Sequence, residues 1–457
     1  MNVAVILSAG SGTRFGSNVP KQFINLAGKY IIEYTLEQFQ ISSYIDEICI
    51  VANSEYHDEL FSLAKRCGFD KVQMIISGGK ERFDSSFKAI EAYEDKEDVN
   101  LIFHDAVRPF VSSKIIEDVV KSLENYDAID VAIDTADTII KIDENTNYID
   151  NIPKRNLLKR GQTPQAFKLQ TIKEAHILAR QDSSKIEATD DCGLVKKYLP
   201  STNIYVVKGE EKNIKITFPE DLLFAEKLIQ FNSSEVNVDE DIFSKLENKV
   251  FVIYGGNSGI GESIKDIAKS YGAKIVIFSR KNGINIENNE TVKKSLESVY
   301  KEFGKIDCVI NCAAILVKKY LKDMDSRDIV DSINTNLLGS VNIAKESYKY
   351  LKETQGSVVL FSSSSYTRGR EEYSLYSATK AAVVNFAQAI ACEWQEEKIK
   401  INVINPARTK TPMREKHFGI EPDGSLLDVK TVAYKTLETV LSEYSGLVVD
   451  IKKNVNE

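Results

Sequence analysis

Two glycine-rich turns each follow a short apolar run and each lead into a helical pattern. The first is Leu7-Ser8-Ala9-Gly10-Ser11-Gly12-Thr13-Arg14-Phe15-Gly16, after residues 3–7. The second is Tyr254-Gly255-Gly256-Asn257-Ser258-Gly259-Ile260-Gly261, after Val250–Tyr254. A glycine turn at a strand end lets backbone N–H groups approach phosphate oxygens with no Cβ in the way. Two such turns predict two nucleotide sites and two βα folds. Their surroundings differ. Arg14 lies in the first turn and Lys21 follows it after Pro20, whereas the second turn carries no cation. This contrast separates a site that handles a triphosphate from one that holds a dinucleotide.

A chain of 457 residues is too long for one ordinary domain and natural for two. Apolar runs without alternation, as at Glu47–Ala52, 101–103, 128–133, Lys274–Phe278, 308–310 and Ser357–Phe361, suit parallel strands covered on both faces. The expected fold class is α/β with two doubly wound, Rossmann-like domains. The polar, acidic stretch 230–241 marks the linker. The division is therefore a first domain at 1–230, a linker at 231–248 and a second domain at 249–457. A net charge of −8 argues against sequence-independent nucleic-acid binding. No run approaches the apolar length of a membrane span, and strand-forming residues begin at the N-terminus with no signal peptide before them. The six cysteines are scattered and only four histidines are present, so buried free thiols and a reducing cytoplasm are expected.

In the first half, Arg14 and Lys21 can both reach a polyphosphate held on the turn's amides. His104-Asp105-Ala106-Val107-Arg108-Pro109 follows the run 101–103. A carboxylate at the carboxyl end of a parallel strand sits where such sheets bind ligands. Asp105 is either a Mg²⁺ ligand or a helix cap. Taken singly, the other polar clusters read equally well as turns or solvated faces.

Together, L-S-A-G-S-G-T-R-F-G, P-K-Q-F, G-G-K-E-R-F-D-S-S (78–86), H-D-A-V-R-P-F, Q-T-P-Q-A-F (162–167), T-D-D (189–191) and N-I-K-I-T-F-P-E-D-L (213–222) resemble the cytidylyltransferases that make CDP-alditols and CDP-methylerythritol. The resemblance spans nearly all of 1–230 and implies a nucleotidyltransferase fold. It also implies attack of a substrate phosphate oxygen on the α-phosphate of CTP, with release of pyrophosphate. It places Ala9, Gly10, Gly12, Gly79, Arg82 and Ser85 on CTP. Arg14, Lys21 and Lys215 fall at the reacting phosphates, Asp105 at Mg²⁺, and Arg108, Arg155, Thr163 and Thr189 on the acceptor's phosphate. It further implies that residues 137–156 form an arm crossing to a second subunit, hence a homodimer or higher homo-oligomer.

In the second half, Gly255, Asn257, Ser258, Gly259, Ile260 and Gly261 make a G-x-x-x-G-x-G turn. Arg280, just past the next strand, favours a ribose 2′-phosphate over a 2′-hydroxyl, and so NADPH over NADH. Tyr376 and Lys380 are four apart and share a helix face. A neighbouring ammonium is expected to lower the tyrosine pKa from its free value near 10. Tyr376 then hands a proton to a carbonyl oxygen as hydride arrives, with Ser363 bonded to the same oxygen. These residues, with N-C-A-A (311–314), N-L-L-G (336–339) and N-P-A-R-T-K-T-P-M (405–413), resemble the short-chain dehydrogenase/reductase family over roughly 249–413. By that resemblance Asn336 holds a relay water, Asn311 lies by the cofactor ribose and Thr411 by the nicotinamide amide. Four features depart from the family: Ala314 and Ala407 stand where it usually has Gly, a helix is missing or shrunken between Arg280 and Asn285, Asn285 stands where an adenine-contacting Asp is common, and the tail after Met413 is short.

Joined in one chain, the halves resemble the bifunctional proteins of capsule and surface-polymer synthesis that reduce a pentulose phosphate and activate the product with CTP. The implied sequence is D-ribulose 5-phosphate to D-ribitol 5-phosphate to CDP-ribitol. The rivals are a methylerythritol-phosphate cytidylyltransferase carrying an unrelated reductase, and a non-catalytic nucleotide sensor.

Overall fold

The computed structural model describes residues 1–10, 19–143, 145–182, 190–232, 240–422 and 424–452. Gly12, Arg14 and Thr189 lie outside the described residues, as does 233–239 within the expected linker. The chain divides into two compact units, one of residues 1–26 and 30–225, the other of 27–29 and 226–457.

The first unit is built on a seven-stranded sheet, in the spatial order Ile204–Lys208, Ala128–Asp134, Lys159–Lys168, Asn100–Asp105, Asn2–Leu7, Glu47–Ala52, Val72–Ser77. The interior strand Asn2–Leu7 explains the lack of alternation seen in the sequence. Ala4 and Ile6 belong to one core, Val3 and Val5 to another, and all four are fully buried. With both faces apolar, polar chemistry is confined to the strand ends. Lys159–Lys168 was not anticipated, and it runs antiparallel to both neighbours. Its sequence, KRGQTPQAFK, offers no apolar run and contains Gly and Pro, so local pattern hides it. Its register with Ala128–Asp134 slips between Gln162 and Ala166. That irregularity turns Thr163 toward Asp105, a typical use of a bulge beside a site.

The second unit holds a six-stranded, all-parallel sheet: Lys274–Phe278, Val250–Tyr254, Cys308–Asn311, Ser357–Phe361, Lys400–Pro406, Val448–Ile451. Only one α-helix, Asn289–Phe303, joins Lys274–Phe278 to Cys308–Asn311, and Arg280–Asn282 forms a single 3₁₀ turn. Lys274–Phe278 is consequently an edge strand. Among the described residues no helix is long and apolar enough to cross a membrane. Cys49, Cys192 and Cys308 are buried as expected, but Cys392 is exposed, because its position on the helix Ser374–Glu393 faces away from the sheet-packed stripe.

Gly255 is where the second turn most needs glycine. Its φ is +81°, and a Cβ there would come within 2.6 Å of the Ala313 nitrogen. The left-handed backbone alone costs a larger residue about 1–2 kcal/mol. Gly255→Ala should therefore lower the thermal midpoint of the reductase unit by a few degrees, read by calorimetry. An unchanged midpoint would show that the turn relaxes at no cost.

Candidate active sites

In the first unit, the strand ends Leu7, Ala52, Ser77 and Asp105 converge. Gly78 packs so closely on Ala9 that a Cβ would collide with the Ala9 side chain, which presses Ala9-Gly10 against Gly78-Gly79. Ser85, buried at the start of the helix Arg82–Ala92, donates to the Glu81 carbonyl (3.2 Å) and accepts from Gly79 N–H (3.1 Å). Its hydroxyl thus shapes the Gly78-Gly79 turn.

Asp105 is the electrostatic hub. Its Oδ2 accepts from Lys215 Nζ (3.0 Å) and Arg108 Nε (3.3 Å). Burial pushes its pKa up, but Lys215, Arg82 and Arg108 outweigh burial and hold the carboxyl well below the usual range. Arg108 also donates to the Asn213 carbonyl (2.8 Å), and Lys21 Nζ to the Ile216 carbonyl (3.3 Å). Lys21, Arg108 and Lys215 are thereby drawn together from three distant segments. Arg82 pairs with the buried Asp191, which also accepts from Ser86 and meets His176 Nε2 at 3.2 Å. Burial works against the Arg82 charge, but Asp191 and Asp105 more than compensate, and its pKa is raised. Sequence reasoning named Arg82 but not Asp191 or His176 as its anchor. Arg155 is exposed and donates to the Ala136 carbonyl (3.2 Å), away from this hub.

Thr163 corrects an expectation. His104 Nε2 lies 3.1 Å from the Arg108 carbonyl, which can only accept, so that nitrogen carries the proton. Burial lowers the His104 pKa to about 4, so the ring is neutral and Nδ1 accepts from the Thr163 hydroxyl (3.0 Å). Thr163 Oγ1 in turn accepts from Asp105 N–H (3.2 Å). Its single proton is committed inward and none is left to offer an acceptor phosphate.

The second unit contains a cavity of about 780 Å³ at the carboxyl ends of its strands. Gly255, Asn257, Ser258, Gly259, Ile260, Gly261, Arg280, Ser363, Tyr376, Lys380 and Thr411 all line it, as do Ala314 and Ala407. The cradle fits a nicotinamide dinucleotide. A Cβ at Gly261 would come within 2.6 Å of the Gly255 oxygen, so glycine there lets the helix Gly259–Ser270 pack directly on the turn and aim its first N–H groups into the cavity. Asn257 donates to Ser279 (2.6 Å) and fixes the strand end that carries Arg280. Thr411 caps the helix Pro412–Phe418 through Arg414 N–H (3.3 Å). Asn311 and Asn336 are buried supports. Asn311 bonds Ser340 and Ala313 N–H, and Asn336 clamps both backbone groups of Ile315 (2.9 and 3.0 Å).

Tyr376 and Lys380 share the helix Ser374–Glu393, with Lys380 Nζ 5.6 Å from the Tyr376 ring centre. The expected lowering of the tyrosine pKa is overturned. Burial pushes Tyr376 up to about 12, against a hydrogen bond from Ser363. Burial also pulls Lys380 down to about 8 while its ammonium donates to the Phe361 carbonyl (2.7 Å). Tyr376 is therefore a protonated donor at neutral pH, the form that carbonyl reduction consumes.

Two family models match the chain: 2-C-methyl-D-erythritol 4-phosphate cytidylyltransferase over residues 2–230, and short chain dehydrogenase over 249–419. The bifunctional ribulose 5-phosphate reductase/CDP-ribitol pyrophosphorylase Bcs1 of Haemophilus influenzae is 45% identical over 98% of this chain and 95% of its own length. The chain belongs to the bifunctional reductase/pyrophosphorylase family. It joins a cytidylyltransferase domain to a short-chain dehydrogenase domain and is an enzyme of both kinds. The 2-C-methyl-D-erythritol 4-phosphate cytidylyltransferase of Thermobifida fusca is 38% identical over half of this chain and 92% of its own length. The 4-diphosphocytidyl-2C-methyl-D-erythritol synthase structure from Anaerococcus prevotii is 28% identical, with a TM-score of 0.45, over 50% of this chain and 96% of that one.

Lys380 makes the reductase unit's stability depend on pH. Its folded pKa, about 8, lies below its ordinary 10.5. Between those values the unfolded chain holds a proton that the folded chain has lost, so stability rises with pH, by up to about 3 kcal/mol. Denaturant midpoints of the cofactor-free chain should climb across that window. The climb should shrink in Lys380→Met; an identical climb there would refute the assignment.

Proposed function

We propose that the chain makes CDP-ribitol in two steps, reducing D-ribulose 5-phosphate with NADPH and then coupling the D-ribitol 5-phosphate to CTP. The observation that carries this reading is the presence in one chain of a cation cluster on Asp105 and a cavity lined by Ser363, Tyr376 and Lys380, over a length that matches a named bifunctional relative end to end.

In the reductase, the Gly255–Gly261 turn, Asn311 and Thr411 would hold the nicotinamide cofactor, which would supply a hydride to the ketone carbon. The Tyr376 hydroxyl gives its proton to the carbonyl oxygen, and Ser363 hydrogen-bonds the same oxygen. Lys380 stabilises the phenolate left behind, and a water held by Asn336 returns the proton. Arg280, with Lys281 beside it on the cavity wall, supports NADPH through the 2′-phosphate. In the transferase, a phosphate oxygen of the pentitol attacks the α-phosphorus of CTP, and the bond to the β-phosphate breaks with release of pyrophosphate. Lys21, Arg14 and Lys215 offset the charge spread over the phosphoryl oxygens, a purely electrostatic catalysis. Gly79, Arg82 and Ser85 frame the base and ribose, and Ala9, Gly10 and Gly12 complete the set assigned to CTP. Arg108 and Thr189 hold the acceptor phosphate, joined by Arg155 from the arm of a second copy of the chain.

Mg²⁺ fits only as a shared ligand. Asp105 is ionised and hard, but Lys215 and Arg108 already engage Oδ2, and among the described residues no three-group metal cluster exists. Nucleotide oxygens and water would complete the shell. There Mg²⁺ would neutralise charge on the triphosphate. A homodimer is supported by the hairpin Lys141–Ile142 and Ile149–Asn151 with its flanks, where Ile140, Ile142, Tyr148, Ile149, Ile152 and Leu157 are all exposed.

A coupled assay with ribulose 5-phosphate, NADPH and CTP should yield CDP-ribitol and pyrophosphate. NADPH oxidation without CDP-ribitol, or cytidylyl transfer only to methylerythritol phosphate, would sink the reading. Tyr376→Phe should cut reduction by about 10²-fold or more while added ribitol 5-phosphate is still converted. Loss of both activities would mean that the two sites are not independent.

A further inference from the structure

The reductase cavity carries more positive charge than a dinucleotide needs. Among the described residues its wall holds Arg280, Lys281, Arg370, Lys380, Arg408 and Arg414 against one carboxylate, Glu287. Arg280 and Lys281 sit past the edge strand Lys274–Phe278, and Lys380 is bound to the Phe361 carbonyl. The other three arginines are at the opposite end. Arg408 follows Lys400–Pro406, four strand positions from the edge, or about 19 Å at ~4.8 Å per strand. The cofactor's 2′-phosphate at Arg280 cannot serve them.

We propose that Arg370 and Arg408, backed by Arg414, form a phosphomonoester site at the substrate end of the cavity and give the reductase its preference for phosphorylated ketoses. This rests on the reading of the second unit as a pentulose-phosphate reductase. Arg370 is positioned by its backbone: its N–H donates to Ser377 Oγ (3.3 Å), one residue past Tyr376. Among the described residues no carboxylate pairs with its exposed side chain. Arg414 is locked, donating to Glu421 through Nε and Nη2 (2.5 and 2.9 Å) and lying 4.5 Å over the Phe418 ring. Arg408 reaches the same carboxylate at 3.5 Å but keeps 62% of its side chain exposed. Glu421 thus cancels one of two arginines and orients both. With Arg370 the local excess is two positive charges, which matches a phosphomonoester near neutrality. Tyr373 and Phe418 meet edge-on beside them, and Tyr373 also contacts Tyr376. That apolar wall continues from the proton donor toward the arginines, the path that a phosphorylated carbon chain would take.

The test uses the full chain with R370Q, R408Q and the double variant, folding being checked by calorimetry. The double variant should raise KM for D-ribulose 5-phosphate by about 10–100-fold, the worth of a charge-assisted contact. It should lower selectivity over unphosphorylated D-ribulose by the same factor, with KM for NADPH unmoved. An equal loss on both ketoses, an unchanged KM, or a shift in NADPH KM instead would overturn the proposal. Emission of bound NADPH, titrated with D-ribitol 5-phosphate, reads the site without turnover: the wild type should saturate, and the double variant, or ribitol as titrant, should not. If the wild type binds ribitol 5-phosphate but does not reduce ribulose 5-phosphate, the proposed function falls and the phosphate site stands. If the variants reduce it with wild-type KM, the site falls and the function stands. No response in either assay removes both.

Discussion

Burial of parallel strands on both faces is the constraint from which the rest follows. Val3 to Ile6 and Val250 to Tyr254 are fully buried, and neither strand offers a polar surface. The residues proposed for the two sites consequently lie at a carboxyl end or in the loop after it: Ala9 and Gly10, Gly78 and Gly79, Asp105, Gly255 to Gly261, Ser363, Arg408. The helices that follow supply N–H groups and, in the second unit, the Tyr376–Lys380 face. A single architectural rule thus produces two unlike sites.

The sites solve opposite electrostatic problems. The transferase centre keeps its charges by pairing them. Asp105 stays ionised because Lys215, Arg82 and Arg108 overcome its burial, and Arg82 stays charged because Asp191 and Asp105 do the same for it. Such a network is preorganised for a polyanion, since fixed cations need not reorient when charge shifts at phosphorus. The reductase centre leaves its key groups unpaired by charge. Burial alone then drives Tyr376 toward the neutral phenol and Lys380 toward the neutral amine. The ammonium that the mechanism requires is weakly held in the cofactor-free chain, and an anionic cofactor would favour it.

Support for these groups comes largely from buried polar side chains that fix the backbone around them. Asn336 ties Ile315 to the helix that follows, and Asn311 sets the Ala313 turn against which Gly255 packs. His104 holds Thr163, which in turn receives the Asp105 N–H. Each is a buried polar side chain with its partners in place, the condition under which burial rigidifies rather than destabilises.

The glycine turns, Lys21 and the Ser363–Tyr376–Lys380 set were legible in the residues themselves, because each depends on local spacing or on a strand-to-helix transition, whereas Arg108 and Lys215 entered only through the resemblance to the cytidylyltransferases. The direction of the Tyr376 shift was not, since desolvation depends on what covers a side chain. Nor were the Arg82–Asp191 pair, 109 residues apart, the antiparallel strand Lys159–Lys168, or the inward turn of Thr163. The convergence of Arg370, Arg408 and Arg414 on one cavity end likewise has no local signature. Sequence determined which kinds of ligand the chain can hold, because a backbone cradle and an i, i+4 pair are local objects. Tertiary structure decided which charges are spent on one another and which are left for substrate, because that balance is struck only between segments that the fold brings together.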